Sequence, residues 1–413
     1  MAKNYKDIYE STNVAVSLEQ RYYLKQETTR GELIAPTGSD FLYTLAGGSV
    51  EFTQPFISSP HRSGRHNNNA IQQKKECSWT IPTYFNIDTT LGAASAAEID
   101  TPVKALWKSL MGNEDLSAGA KYLVSTPSTT FSLMETGDKW ARQVRGGFVQ
   151  SATMNFPGDG EANMEWTGNA KDAIYVGMGK STVSNDGGNT ITLEAGDGSQ
   201  FLKSTDGYVM IIEADGVTRS ADTPDGSPRK ITQVVGDVIT VDGAVLADAD
   251  GSGIGAPIYF VYYEPATPVG IDNPVTGLTG TMNVASIGAI CARNVTISLG
   301  NEHELINYCY GEDSLAGQMF VPGGRFMATV EVEANLDKAT FKLFQQLQNF
   351  ESQSLTLVLG EAAGRRLEVE IPRGIFEVPS VSVPETGSIP VTFSGTAYQT
   401  ALDAADEISV HFT

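Results

Sequence analysis

The chain has 413 residues, 19% of them charged, with a formal net charge of -21 and a pI near 4.5. This is a globular composition, long enough for two or three domains, and its acidity argues against a surface that wraps nucleic acid and for one that repels it or stays soluble at high density. Cys77, Cys291 and Cys309 are odd in number and widely spaced, which excludes a disulfide framework and implies reduced core thiols.

No run approaches the ~18 apolar residues of a membrane-spanning helix. The start, Met1-Ala2-Lys3-Asn4-Tyr5, has no apolar run behind it, so the expectation is a protein without a signal peptide, made and kept in the cytosol unless something larger carries it out.

Residues 1–40 are mixed and polar, with a basic aromatic patch at Arg21-Tyr22-Tyr23-Leu24-Lys25. They read as an N-terminal arm that a neighbour orders. Phe41 to Phe52 alternates weakly around Gly47-Gly48 as a first strand pair. A polar loop follows from Gln54 to Glu76 and carries His61, Arg62, Arg65, His66, Lys74 and Lys75. In so acidic a chain it reads either as a solvated hairpin tip or as a contact loop between stacked rings, meeting an acidic surface on another copy. Cys77 to Ile81 is a strand. Thr101 to Met111 is a helix, with Pro102 in its first turn, a stripe of Val103, Leu106, Trp107 and Leu110, and Gly112 as its stop. Strands follow at Phe131 to Leu133, Phe148 to Phe156, and Met164 to Trp166, the last running into Gly168-Asn169-Ala170.

From 171 to 266 the composition shifts to Gly, Asp, Val and Ile, with short strands and turns such as Val235-Gly236-Asp237. This predicts a small all-β insert, closed into a barrel or sandwich, whose two ends lie close together.

The second half repeats the first about 230 to 250 residues on. Phe326, Ala328, Val330 and Val332 alternate with Thr329, Glu331 and Glu333, a half-buried strand. Asp337 can cap a helix over Ala339 to Phe350 with Phe341, Phe344, Leu347 and Phe350 on one side, facing the core. Alternating strands follow at Leu355 to Leu359, Leu367 to Ile371 and Ile389 to Phe393, ending at Gly395-Thr396-Ala397. Val50-Glu51-Phe52 matches Val295-Thr296-Ile297, and the two helices match each other. The chain therefore reads as an arm (1–40), a first module (41–170), the insert (171–266) and a second module (267–413).

Catalytic and cofactor motifs fail on their residues. Gly179-Lys180-Ser181-Thr182 ends like a phosphate-binding loop, but Ile174 stands where its first glycine belongs and no helix follows. Asp248 to Gly253 resembles a calcium loop without its closing glutamate. His303-Glu304 has no second histidine four residues on, and no cysteine lies at ligand spacing from any histidine. No serine sits in a nucleophile elbow. No enzyme activity, metal or cofactor is expected.

The run Ser58-Ser59-Pro60-His61-Arg62-Ser63-Gly64-Arg65, then Cys77-Ser78-Trp79-Thr80-Ile81 and the Thr101 helix, resembles the first half of a tail tube protein of long-tailed bacteriophages. Gly323-Gly324-Arg325 before a strand, the Phe341 helix and Ile371-Pro372-Arg373 are similar to the second half of that family. The resemblance covers about residues 20–170 and 275–413, and the insert departs from the minimal pattern.

It implies a mainly β fold of two tandem β-sandwich tube modules, each with one packed helix, and a structural role in the virion. Rings assembled in the host cytoplasm would stack into a hollow tail through which DNA passes without specific binding. Partners would be further copies of the chain, as homotrimeric rings with pseudo-sixfold walls rather than hexamers, together with tape-measure, tail-terminator and tail-tip proteins. No membrane insertion is implied. Glu331, Glu333, Glu368 and Glu370, on outward strand faces, are the expected lining of the lumen. An alternative reading is an extracellular carbohydrate-binding or adhesive β-sandwich protein, for which the sequence shows neither a signal peptide nor an aromatic platform.

Overall fold

The computed structural model describes residues 3–15, 20–58, 70–73, 75–85, 99–117, 119–126, 129–181, 188–220, 227–243, 258–265, 275–306, 319–322, 324–360, 366–381 and 383–412. The chain is mainly β, with large antiparallel sheets; the described α-helices are Tyr5–Glu10, Thr101–Met111 and Lys338–Gln348. None of them is long and apolar enough to cross a membrane.

In the first half, Ser49–Thr53 pairs with Glu76–Tyr84, which pairs with Asn163–Ala170, which pairs with the later part of the long strand Ala141–Pro157. The early part of that strand lies between Phe131–Thr136 and Asp172–Val176. Phe131–Thr136 in turn carries Arg21–Gln26, and that strand carries Phe41–Leu42. The second half runs through the same ladders. Ala292–Gly300 pairs with Met327–Asn335, then Pro390–Ala397, then the end of Leu367–Phe376. The start of Leu367–Phe376 lies between Gln353–Leu359 and Ser409–Phe412. Gln353–Leu359 carries Thr281–Val284, and that strand carries Gly288–Ile290. The small hairpins Phe56–Ser58 with Ala70–Gln72, and His303–Ile306 with Met319–Pro322, also correspond. One further ladder, Ser151–Pro157 against Asn294–Gly300, joins the halves edge to edge. Among the described residues, the hairpin Gly112–Asp115 with Ala120–Val124 has no counterpart in the second half, and its second strand reaches across to Ser409–Phe412.

Alternation along these strands decides which side is buried. Trp79, Ile81, Met154, Trp166, Ile297, Val330, Val332 and Phe393 point inward with almost no exposure, each such side chain stabilising the fold by about 1.5–3 kcal/mol. Val332 and Phe393 meet Met282, Val284 and Leu355 of the opposing layer across a gap of about 10 Å³, too small for a ligand. The ladder alignment shifts one sequence match by two residues. Val50 lies opposite Trp79 and Ile297 opposite Val330, while Trp79 and Val330 lie opposite Gly168 and Gly395. Val50 therefore corresponds to Ile297, not Val295. A two-residue slip keeps every side chain on its face, so alternation alone could not detect it.

The two helices are used differently. Thr101–Met111 forms as expected and is buried on most of its surface. Trp107 stacks on Tyr122 at 5.6 Å and meets Trp166 and Phe412 edge to face. Asn301 Nδ2 donates to the carbonyl of Leu110 at 3.0 Å. In Lys338–Gln348, Asp337 caps as expected, accepting from the Thr340 amide at 2.8 Å. Of the expected core stripe, however, Leu347 is buried, together with Thr340 and Leu343, while Phe341 and Phe350 are 51% and 77% exposed. Steps of three residues each fall about 60° short of a full turn, so a run at 341, 344, 347 and 350 winds off one face.

The N-terminal region is structured within the single chain rather than loose. Arg21–Gln26 is an inner strand with Tyr22, Tyr23 and Leu24 buried. The Tyr5–Glu10 helix docks on the insert, its Tyr5 amide donating to the Gly216 carbonyl at 2.7 Å. The insert forms a six-stranded sheet of Met178–Lys180, Tyr259–Tyr262, Tyr208–Ile212, Arg229–Val235, Val238–Val241 and Thr190–Thr192, in that order. Its ends are adjacent, since Met178 pairs with Val261. Asp172–Val176, which the sequence reading assigns to the insert, pairs instead with Ala141–Arg145 in the first-half sheet. The insert also shares a core with that sheet through Tyr23, Met134, Ala141 and Ile174. Gln143 seals the join by donating to the Tyr208 carbonyl at 2.7 Å and accepting from its amide at 2.6 Å.

Candidate functional site

Eight strands, from Ser49–Thr53 through the joining ladder to Leu367–Phe376, make one continuous sheet across both halves. Its inner face is the core. The outer face is polar: Ser78, Thr80, Asn163, Thr167, Ser151, Thr153, Asn155, Thr296, Ser298, Thr329, Thr392 and Ser394 all lie outward by alternation. Glu51, Glu76, Glu165, Glu331 and Glu333 share that face, and none of the outward positions on Ser49–Thr53, Glu76–Tyr84, Ser151–Pro157, Asn163–Ala170, Asn294–Gly300, Met327–Asn335 and Pro390–Ala397 is Lys or Arg. The carboxylates are spread across the sheet. Glu331 sits between Thr296 and Ser394, and Glu333 between Asn294 and Thr392. Glu165 sits between Pro82 and Thr153, and Glu51 beside Ser78 on the edge strand. Such a surface is a hydroxyl-rich wall with more carboxylates than cations, the exposed Arg293 and Arg373 lying on its Ala292–Gly300 and Leu367–Phe376 strands.

The four glutamates expected to act together do not share a face. Glu331 and Glu333 are on this sheet. Glu368 and Glu370 alternate with buried Leu367, Val369 and Ile371 in the opposing layer, opposite His411 and Ser409, and Glu368 is ion-paired with Arg366 at 3.2 Å. Their carboxylates therefore lie on a different face from those of Glu331 and Glu333. Glu51 and Glu165 were missed in the sequence. Their alternating neighbours were visible there, but their membership of one wall depends on ladders between distant strands.

Of the cationic loop residues, His61, Arg62, Arg65, His66 and Lys74 lie outside the described residues. Lys75 is engaged within the chain, 3.2 Å from Asp172 and over the Phe52 ring at 5.5 Å. Lys180, from the rejected phosphate-loop pattern, lies on a strand and pairs with Glu194 at 3.1 Å.

Two deeply buried carboxylates are fully engaged as structural anchors. Glu27 accepts from the amides of Gly31 and Gly146 and the hydroxyls of Thr130 and Ser132 at 2.6–3.0 Å. Glu264 binds Lys3 at 2.7 Å, Arg21 at 2.9 Å and the Tyr5 hydroxyl at 3.2 Å. Burial, reinforced by the Glu264 charge, pushes the Tyr5 phenol far above its ordinary range, so it stays a hydrogen-bond donor. Among the described residues, no three His, Cys, Asp or Glu side chains cluster as a metal would require.

The sheet's two ends are the remaining feature. Among the described residues, Ser49–Thr53 has a ladder on one side, against Glu76–Tyr84. At the other end, an open groove of about 690 Å³ runs past Leu347, Phe350, Phe376, Val378 and Tyr398. No protein-family model matches the chain, and no curated protein matches it.

Proposed function

We propose that the chain is a structural ring subunit of a phage tail tube, built from two copies of one β-sandwich module, and that three chains form each ring. One observation carries this reading: the ladder between Ser151–Pro157 and Asn294–Gly300 joins two similarly laddered halves edge to edge, while among the described residues the outer ends of the same sheet have no partner of that kind. A contact that repeats head to tail closes a ring or runs on as a filament. Wall diameter grows with strand number, so three chains with two modules each make a six-module wall, and six chains would double its circumference. The polar outer face, with Glu51, Glu165, Glu331 and Glu333, would line the lumen, where it repels the phosphate backbone and lets DNA slide. Stacked rings would hold a tape-measure protein, with terminator and tip proteins at the ends.

Negative-stain microscopy of the purified protein tests the reading. Rings or tubes with three chains per ring are the expected result. A protein that stays monomeric at every concentration overturns it, and a ring of six chains overturns the two-segment wall.

A further inference from the structure

Resting on that reading, we propose that the segment following Phe376 is the strand that pairs, antiparallel, with Ser49–Thr53 of a second copy, in the register that sets Val381 opposite Val50 and Ser380 opposite Glu51.

The register comes from the joining ladder inside the chain. Gly168 lies opposite Val149, and Gly395 opposite Phe376. Both glycines are needed for the same close approach. A Cβ on Gly168 would fall 2.0 Å from the Phe148 carbonyl oxygen, and one on Gly395 would fall 2.7 Å from that of Ile375. Val149 and Phe376 are therefore equivalent. The first-half ladder carries a bulge at Gln150, where the register shifts between Val149 and Ser151; with the same bulge carried over to Glu377, counting onward matches Thr153 to Ser380, Met154 to Val381 and Phe156 to Val383. On the partner strand, Ile297 corresponds to Val50 and so Ser298 to Glu51. Within the chain, Met154 stands opposite Ile297 and Thr153 opposite Ser298, the last two with hydroxyls 3.4 Å apart. Carrying these pairs over to the open ends gives the proposed register.

The segment has the character of a strand awaiting a partner. The Glu377 amide still donates to the Ser394 carbonyl at 2.9 Å, but the strand itself ends at Phe376. Met154 and Phe156 are buried, whereas their equivalents Val381 and Val383 are 40% and 72% exposed. In the proposed register these valines would face inward, over a layer that one chain does not supply. The helix beside them tells the same story. Trp107 is covered partly by Phe412 from the following half; its equivalent, Phe344, stacks on the exposed Phe341. A second copy fits where an unrelated strand would not, because both edges belong to this chain and the register sets apolar against apolar and serine against glutamate. Pro379 has no amide hydrogen, which withholds one ladder bond and discourages chance pairing at this edge.

Cysteine cross-linking reads the register directly. Residues directly opposite in a ladder have Cα atoms about 4.5–5.5 Å apart, within disulfide range, whereas a two-residue offset is too long. In a C291S/C309S background, chains carrying Glu51→Cys are assembled with chains carrying Ser380→Cys and mildly oxidised. The expected result is a disulfide-linked dimer containing one chain of each kind, with little product from Thr53→Cys and Ser380→Cys. Val381→Asp, at a residue exposed in the single chain, is expected to keep the monomer's circular dichroism and melting temperature while abolishing rings. Rings that form without the cross-link, or that cross-link equally in the shifted register, overturn this register and leave the ring reading standing. Monomers under all conditions overturn both.

Discussion

The ring of Phe412, the last residue but one, meets the indole of Trp107 edge to face at 6.1 Å, so the final strand of the second half closes the core around the helix of the first. Tyr122, stacked on the same indole, also touches Phe412 at 6.3 Å. Replacing Phe412 with alanine is expected to cost about 3–5 kcal/mol, the usual range for a large buried aromatic. Urea unfolding measures it, and a loss well under 1 kcal/mol would show that the contact is dispensable.

The second helix gives the opposite contrast. Leu343→Ala should cost about 2–5 kcal/mol because Leu343 is 5% exposed, whereas Phe341→Ala should cost within about 0.5 kcal/mol in the monomer. Equal losses would mean that the phenylalanine stripe is the buried face after all.

Much of this architecture could be read from the residues. Pro102, Gly112 and Asp337 marked helix ends correctly, and alternation placed Glu331 and Glu333 on an outward face. Alternation could not say which outward face. Leu367, Val369 and Ile371 follow the same period as Val330 and Val332, yet they belong to the opposing layer because their strand crosses between layers. Nor did the sequence show Arg21–Gln26 as an inner strand. Its basic ends dominate the composition, while Tyr22, Tyr23 and Leu24 gain their burial from Phe131–Thr136, about a hundred residues away.

Burial pushes the Cys77 thiol up to about 12, so little of it is the reactive thiolate at neutral pH, and Cys291 is exposed. In a Cys309→Ser background, a thiol reagent at pH 8 should label Cys291 promptly and Cys77 only after denaturation. Rapid labelling of both would show that the Cys77 strand opens readily.

His303, against Phe148 at 4.8 Å, has its imidazole pKa lowered chiefly by burial. Below about pH 6.5 the unfolded chain takes up a proton there that the folded chain resists, so the unfolded state binds more protons and stability falls as pH drops through that value. His303→Gln should therefore flatten the decline in melting temperature between about pH 6.5 and 5. An unchanged slope would assign the acid sensitivity elsewhere.

The acidic wall makes a charge-reversal prediction. Glu331→Lys with Glu333→Lys should leave the monomer folded, since Glu331 is exposed and Glu333 lies at the same outward face. Assembled particles should then retain duplex DNA in low salt and release it as salt rises, because each added cation can displace counterions from phosphate. Filter retention measures this, and DNA binding equal to that of the unaltered protein would remove the wall from any role in passage.

The meeting of Trp107 with Phe412 also sets an order of events during synthesis. The helix that carries Trp107 leaves the ribosome roughly three hundred residues before the strand that covers it, and the edge at Ser151–Pro157 waits for Asn294–Gly300. Until Asn294–Gly300 emerges the strand edge stays open, and until Ser409–Phe412 emerges Trp107 lacks part of its cover, the kind of surface that chaperones bind and that aggregates when they do not. A chain ending before Ser409 would close that edge but never complete the cover over Trp107, so truncation there should give insoluble protein rather than a shortened subunit able to join and poison a growing assembly.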